Sequence, residues 1–213
     1  MSISCWLDHS TKSLKKNYDF VIVGGGIAGL STAYWLQKES PKYKIAILEK
    51  NRIGFGASGR NAGFVTCGST AHFMKLYERF GISKAVEIWK FSEQNRKLLQ
   101  EHIIEDQGSQ IEYSQTGSCT IASTDEQWLQ FKKIAEIMKV QQIDVQEIDS
   151  TLVTKDYGVS EVVGGIEYKG DGVIHPVKLL TLLKSKLSVD IYENTEVFAI
   201  EGQQRSLQEV KTD

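Results

Sequence analysis

Cysteine is scarce in this 213-residue chain: Cys5, Cys67 and Cys119 lie far apart and form no C-x-x-C pair. An odd count without metal-type spacing argues against both a disulfide framework and a metal site, and makes a reducing, cytoplasmic setting the default. Neither charge sign is in excess, since 25 Lys and Arg are interspersed with 27 Asp and Glu for a net charge of −2. Nucleic-acid binding normally leaves a basic stripe. None is found, so no nucleic-acid partner is expected, and the short Lys12, Lys15, Lys16 cluster reads as a solvated arm. Proline occurs twice, with Pro41 just past a helical pattern and Pro176 at a favoured first-turn position. Internal repeats and low-complexity segments are absent. At 41% hydrophobic and 24% charged, the composition is that of an ordinary globular protein of one or two domains.

A long, uniformly apolar run is missing too. Lys15-Lys16 ahead of the uncharged stretch 20–37 has the outline of a signal peptide or membrane helix. That stretch, however, holds Gly24, Gly25, Gly26, Gly29, Ser31, Thr32 and Gln37, and no clear small-x-small cleavage site follows. A buried parallel strand running into a helix has the same uncharged profile. No transmembrane segment is expected.

What is present is a strand, turn, helix, strand succession. Phe20-Val21-Ile22-Val23 is a continuous apolar run closed by three glycines, the pattern of a strand buried on both faces. Ile27, Leu30, Ala33, Tyr34 and Gln37 then recur at helical spacing, and Lys44-Ile45-Ala46-Ile47-Leu48 is a second β-type run ending at Glu49. Together they make a βαβ unit over 19–50. Helices are predicted over 70–80 and 83–106, the second with an apolar stripe of Val86, Trp89, Leu98, Leu99 and Ile103 and a wet face that includes Glu87, Lys90, Glu93 and Lys97. Met74, Trp89 and Phe91 read as core. Short strands follow at 111–113, 118–122, 145–148 and 162–168, interrupted by a helix over 125–140, which suggests an α+β excursion. His175-Pro176 opens a helix to 187, and 189–192 and 196–201 read as returning strands.

The central motif is Gly24-Gly25-Gly26-Ile27-Ala28-Gly29, placed between a strand and a helix with an acid at the end of the next strand. A lone G-x-G-x-x-G is weak; in this context it reads as a dinucleotide site. Gly24 allows the tight turn, Gly26 lets the backbone approach a pyrophosphate, and Gly29 lets the helix pack on the sheet. The helix N-terminus offers free N–H groups and partial positive charge to phosphates. Glu49 comes 20 residues after Gly29, where a carboxylate accepts hydrogen bonds from ribose hydroxyls. Such an acid suits FAD and NAD equally.

The next segment, Gly56-Ala57-Ser58-Gly59-Arg60-Asn61-Ala62-Gly63, resembles the FAD-dependent oxidoreductases that include D-amino-acid oxidase, glycine oxidase and sarcosine oxidase, and is nearest to γ-glutamylputrescine oxidoreductase. The leader Ser4-Cys5-Trp6-Leu7-Asp8 and the stretches 172–176 and 194–197 are similar as well, while 70–160 matches only in pattern. A flexible Gly/Ser surface loop is the bland alternative for 56–63.

The resemblance implies an α/β fold: a Rossmann-like FAD-binding domain of GR2 type over 19–107 and 170–213, after an arm at 1–18. An α+β substrate domain, present in part, is inserted at 108–169. It implies FAD bound by the 24–29 turn, Glu49 and Lys50. Ser58 and Gly59 would meet the pyrophosphate with Arg60 as cationic support, since its planar fork suits phosphate oxygens. Asn61, Ala62 and Gly63 would run along the isoalloxazine ring, and the Val197 backbone would reach the adenine. The reaction implied is hydride removal from the carbon next to an amine nitrogen in a small-molecule amine or amino acid, with the flavin as electron sink. No catalytic base is needed and none is assigned; His175 reads as a capping or packing residue, and no metal is expected. The resemblance also implies more chain: 197–201 and 207–213 look like two arms of a hairpin, after which members of the family continue with the rest of the substrate sheet. A missing C-terminal half or a partner subunit would supply it, leaving this chain by itself weakly active or inactive. A non-catalytic flavin- or nucleotide-binding piece and an FAD hydroxylase sharing only the first βαβ unit stay open.

Overall fold

The structure is a computed structural model that describes residues 17–202 and 209–212. The leader, Cys5, the Lys12, Lys15, Lys16 cluster and residues 203–208 lie outside the described residues. In chain order the first elements are β1 (Phe20–Val23), α1 (Ile27–Glu39), β2 (Ile45–Leu48), β3 (Phe64–Val65) and α2 (Thr70–Leu98). The middle of the chain forms β4 (Ser118–Ala122), α3 (Asp125–Val140), β5 (Val145–Asp149), α4 (Ser150–Tyr157), β6 (Gly164–Tyr168) and β7 (Gly172–Val173). The last elements are α5 (Pro176–Ser185), β8 (Asp190–Tyr192), β9 (Val197–Glu201) and β10 (Glu209–Thr212). The chain divides into two compact units, one from residues up to 61 and from 176 onward, the other 62–175.

The first unit holds a parallel sheet in the order β1-β2-β8, with Phe20 opposite Ile45 and Ala46 opposite Asp190. Central β2 is buried along its whole length. β1 is not: Phe20, Val21 and Val23 are 37%, 38% and 53% exposed. The expected burial on both faces fails there because, among the described residues, β1 is an edge strand with a neighbour on one side only. Leu30 and Ala33 of α1 are buried at helical spacing, whereas Ile27 in the first turn is exposed. The Gln37 side chain links α1 to the end of α5, donating to Lys186 O at 3.2 Å and accepting from Ser188 N at 2.6 Å. β9 and β10 form the antiparallel hairpin that the 197–213 pattern suggested.

The second unit is built on the antiparallel sheet β4-β6-β5. Phe73, Ala85 and Trp89 of α2 and Phe131, Ala135 and Met138 of α3 share its core. Helix α2 breaks at Gly81, whose φ of 78° is non-helical, so 70–80 and the following segment are separate helices in effect. Its last turn widens into a π-helical stretch, Leu99–Ile104. Phe91, expected in the core, is 70% exposed. It lies two residues past Trp89 and so on the opposite side of the helix. Glu93, expected on the wet face, turns inward because it sits one turn from Trp89: it accepts from Trp89 Nε1 at 3.2 Å and from Tyr168 OH at 2.8 Å. Residues 111 and 112 form a turn and 113 lies outside any strand. Helix α4 was unforeseen, although Asp149 caps it by accepting from Leu152 N at 2.9 Å and the left-handed Gly158 ends it. The compact unit begins at 62, ahead of the expected 108, because α2 packs on α3.

Candidate cofactor site

Two glycine turns of the same design lie side by side in the first unit. A Cβ on Gly29 would sit 2.0 Å from Gly24 O, and a Cβ on Gly59 would sit 2.1 Å from Gly54 O. Each pair is five residues apart, and Gly24 and Gly54 both have positive φ, 105° and 76°. The first turn leads into α1 and the second into a 3-10 turn, Ala57–Gly59. Gly54 N donates to Gly25 O at 3.2 Å, which joins them.

Ser58 is carried by the second turn to the start of the first helix. Its Oγ accepts from Ile27 N at 3.0 Å, and a Cβ on Gly26 would stand 2.8 Å from that oxygen. The first-turn amides of a helix have no intrahelical acceptors; Ile27 N is spent on Ser58 Oγ, which leaves the Ala28 amide and the Ser58 hydroxyl as donors in one place. No acidic residue occupies this first turn. Arg60 is exposed, its guanidinium 5.5 Å over the Phe55 ring and its Nε donating to Gly56 O at 3.3 Å. Asn61 Nδ2 donates to Ser58 O at 2.8 Å.

Glu49 ends β2 beside the same turn. Its two oxygens accept from Gly25 N at 2.7 Å and Asn51 N at 2.9 Å, which ties the strand end to the glycine turn. A carboxylate has about four acceptor positions, so two further bonds fit. Lys50 Nζ pairs with Glu196 Oε1 at 2.6 Å, next to half-buried Val197 at the start of β9. Gly24, Gly26, Ile27, Ala28, Gly29, Glu49, Ser58, Gly59, Arg60 and Asn61 are thus assembled around one helix start, with Lys50 and Val197 linked through Glu196. Ala62 and Gly63 belong to the second unit, where Gly63 is buried and its O accepts from Ile174 N at 2.8 Å.

Three participants were missed. Gly25 supplies the amide that Glu49 holds, and a Cβ there would strike Ile53 Cδ1 at 2.3 Å. Gly54 forms the second turn, and its spacing to Gly59, identical to that of Gly24 to Gly29, is the signal that could have found it. Glu193 Oε1 accepts from Ile53 N at 2.7 Å and has no local signal, because its partner is 140 residues away.

The family model described as FAD dependent oxidoreductase (DAO) matches residues 19–213. The chain belongs to that family. L-2-hydroxyglutarate dehydrogenase, mitochondrial, of Dictyostelium discoideum is 36% identical over 121 residues, 56% of this chain and 24% of that protein. Gamma-glutamylputrescine oxidoreductase of Escherichia coli (strain K12) is 25% identical over 162 residues, 76% of this chain and 37% of that protein. The crystal structure of glycine oxidase from Geobacillus kaustophilus matches with a TM-score of 0.73 and 25% identity over 92% of this chain and 51% of that one. This FAD dependent oxidoreductase chain therefore spans about half the length of that solved relative, and less of the two others. The fold is the α/β arrangement with a Rossmann-like FAD-binding unit, and the family's cofactor is FAD. The Ala28 amide, the Ser58 hydroxyl that Ile27 N and the bare Gly26 bring to the helix start, and the spare acceptor positions of Glu49 fit its pyrophosphate and ribose. Among the described residues no helix is long and apolar enough to cross a membrane.

Proposed function

We propose that this chain is the N-terminal half of an FAD-dependent oxidoreductase that oxidises an amine or an amino acid. The observation that carries the reading is the placement of Ser58 Oγ on the first amide of α1, 3.0 Å from Ile27 N, an approach that the missing Cβ of Gly26 allows. That is a pyrophosphate cradle made of two glycine turns rather than one. FAD, when bound, supplies the electron sink for oxidation of the carbon next to the substrate nitrogen. The chain's own residues bind and orient. With Ile27 N holding Ser58 in place, the Ala28 amide and the Ser58 hydroxyl would donate to phosphate oxygens, Arg60 would add a cation, and Glu49 would accept from the ribose. Lys50 and the Val197 backbone border the adenine end, and Asn61, Ala62 and Gly63 line the ring. Residues 108–169 contribute part of the substrate domain, while 19–107 and 170–213 hold the cofactor.

Purified chain supplied with FAD should show bound-flavin absorbance and quenched flavin fluorescence. A chain that never retains flavin, whether expressed as these 213 residues or within a longer frame, sinks the reading. A second reading is a flavin-binding piece that turns over only with a partner chain, favoured by the exposed apolar edge of β1. Amine-dependent oxygen consumption by the 213-residue chain alone would exclude it.

A further inference from the structure

A cavity of about 780 Å³ opens in the second unit along the edge strand β4. Every residue that lines it lies between 64 and 173, so that unit forms it alone. Small-molecule sites have volumes of about 300–1,000 Å³, and this one falls within that range. Apolar wall is supplied by Phe64 and Val173, which pair across β3 and β7, and by the ring of Tyr157 at the end of α4. Thr116 and Ser118 add hydroxyls between them.

The charge of the lining is one-sided. Two carboxylates contribute, Asp156 and Asp171, and among the described residues of the lining there is no Lys or Arg. Asp156 is exposed, whereas Asp171 is 1% exposed. The Asp171 oxygens accept from Thr66 Oγ1 at 2.7 Å, Cys67 N at 2.9 Å and Ser118 Oγ at 2.7 Å. All three donors are neutral, and a carboxylate has about four acceptor positions, so one is left. A buried anion held by neutral donors alone is costly, and a cation in the cavity offsets that cost. Glu167 adds negative charge beyond Tyr157, whose hydroxyl donates to it at 3.0 Å; its paired cation, Lys169 at 3.6 Å, is 65% exposed.

We propose that this cavity is a binding site for a small organic ammonium. The ammonium group donates to Asp171 and the neighbouring hydroxyls, and its apolar tail lies against Phe64 and Tyr157, whose rings also attract cations. A carboxylate in the same place meets two like charges and no cationic partner. A bare metal ion is a poor occupant, because it needs several converging ligands and no group of three or more His, Cys, Asp or Glu among the described residues is placed to hold one. The inference is independent of the cofactor reading, since no part of the cavity belongs to the first unit.

The test is calorimetric titration of the flavin-free 213-residue chain with n-butylammonium, with butyrate and with potassium chloride. His72 also lines the cavity, so the titration is run at about pH 8, where a histidine at its ordinary value is neutral. Expected are saturable binding of n-butylammonium, none of butyrate or potassium, and affinity about tenfold weaker in Asp171→Asn. Asn at 171 keeps an acceptor for Cys67 N, and its NH2 meets two hydroxyls that can rotate to accept, so the fold is expected to survive. No saturable n-butylammonium binding by wild type, butyrate or potassium bound as tightly, or unchanged affinity in Asp171→Asn each overturns the site. Should Asp171→Asn lose its helical circular dichroism, Asp156→Asn at the exposed carboxylate decides instead, and unchanged affinity there overturns it. A chain that binds n-butylammonium but never retains flavin overturns the cofactor reading and leaves this one standing.

Discussion

Gly29 stands where its missing side chain matters most. An added Cβ would meet Gly24 O at 2.0 Å, so Gly29→Ala must push helix from turn. Overpacking of this kind costs about 1–3 kcal/mol; a lower melting temperature and loss of bound flavin are expected together. Ser58→Ala removes the acceptor from Ile27 N. Loss of a cap-type bond costs about 1 kcal/mol, and titration with FAD should show weaker binding, largely recovered in Ser58→Thr. Burial raises the Cys119 thiol from its ordinary value of 9.0 to about 11, with the Glu167 charge adding to it. The folded value lies above the unfolded one, so this contribution to stability is intact below pH 9 and is lost as pH climbs toward 11. Melting temperatures across that window should fall more steeply for wild type than for Cys119→Ala. Glu49 was legible as a candidate site residue because it ends the strand after a glycine turn, and Ser58 because its segment resembles the family's. Gly25 was not, since its role depends on a carboxylate 24 residues away arriving at its amide.

Helix α2 shows how the same side chain type takes opposite values within two residues. Trp89 is 1% exposed and edge-on to both Phe73 and Tyr168. Trp89→Ala should therefore cost about 3–5 kcal/mol, whereas Phe91→Ala on the far side should fall within about 0.5 kcal/mol of wild type; urea denaturation of the two distinguishes them. Periodicity placed the helices well, and the break at Gly81 separates the two segments read from the pattern. It misassigned Phe91 and Glu93, because a stripe identifies a face only when something packs on it. Helix α4 escaped because eight residues are too few to show a period, although its caps were in plain sight. Residues 111–113 have strand composition but no ladder to join.

At the scale of the molecule, the parallel sheet exposes Val21 and Val23 on an edge strand. Open apolar edges invite pairing. Sedimentation velocity should show concentration-dependent self-association of the purified chain, reduced in Val23→Lys without loss of helix signal. The sequence alone determined the βαβ unit and the helix start suited to a phosphate, while segment 56–63 pointed to FAD through its resemblance to the family. Those features are local, set by spacing within one turn or one strand–helix passage. Only the tertiary structure decided that Ser58 meets Ile27, that Glu49 holds Gly25, that Glu93 faces inward and that Asp171 is buried. Each depends on a partner distant in the chain, as Glu93 does on Tyr168, and whether a polar group is buried depends on what folds over it, which its own neighbours in sequence do not specify.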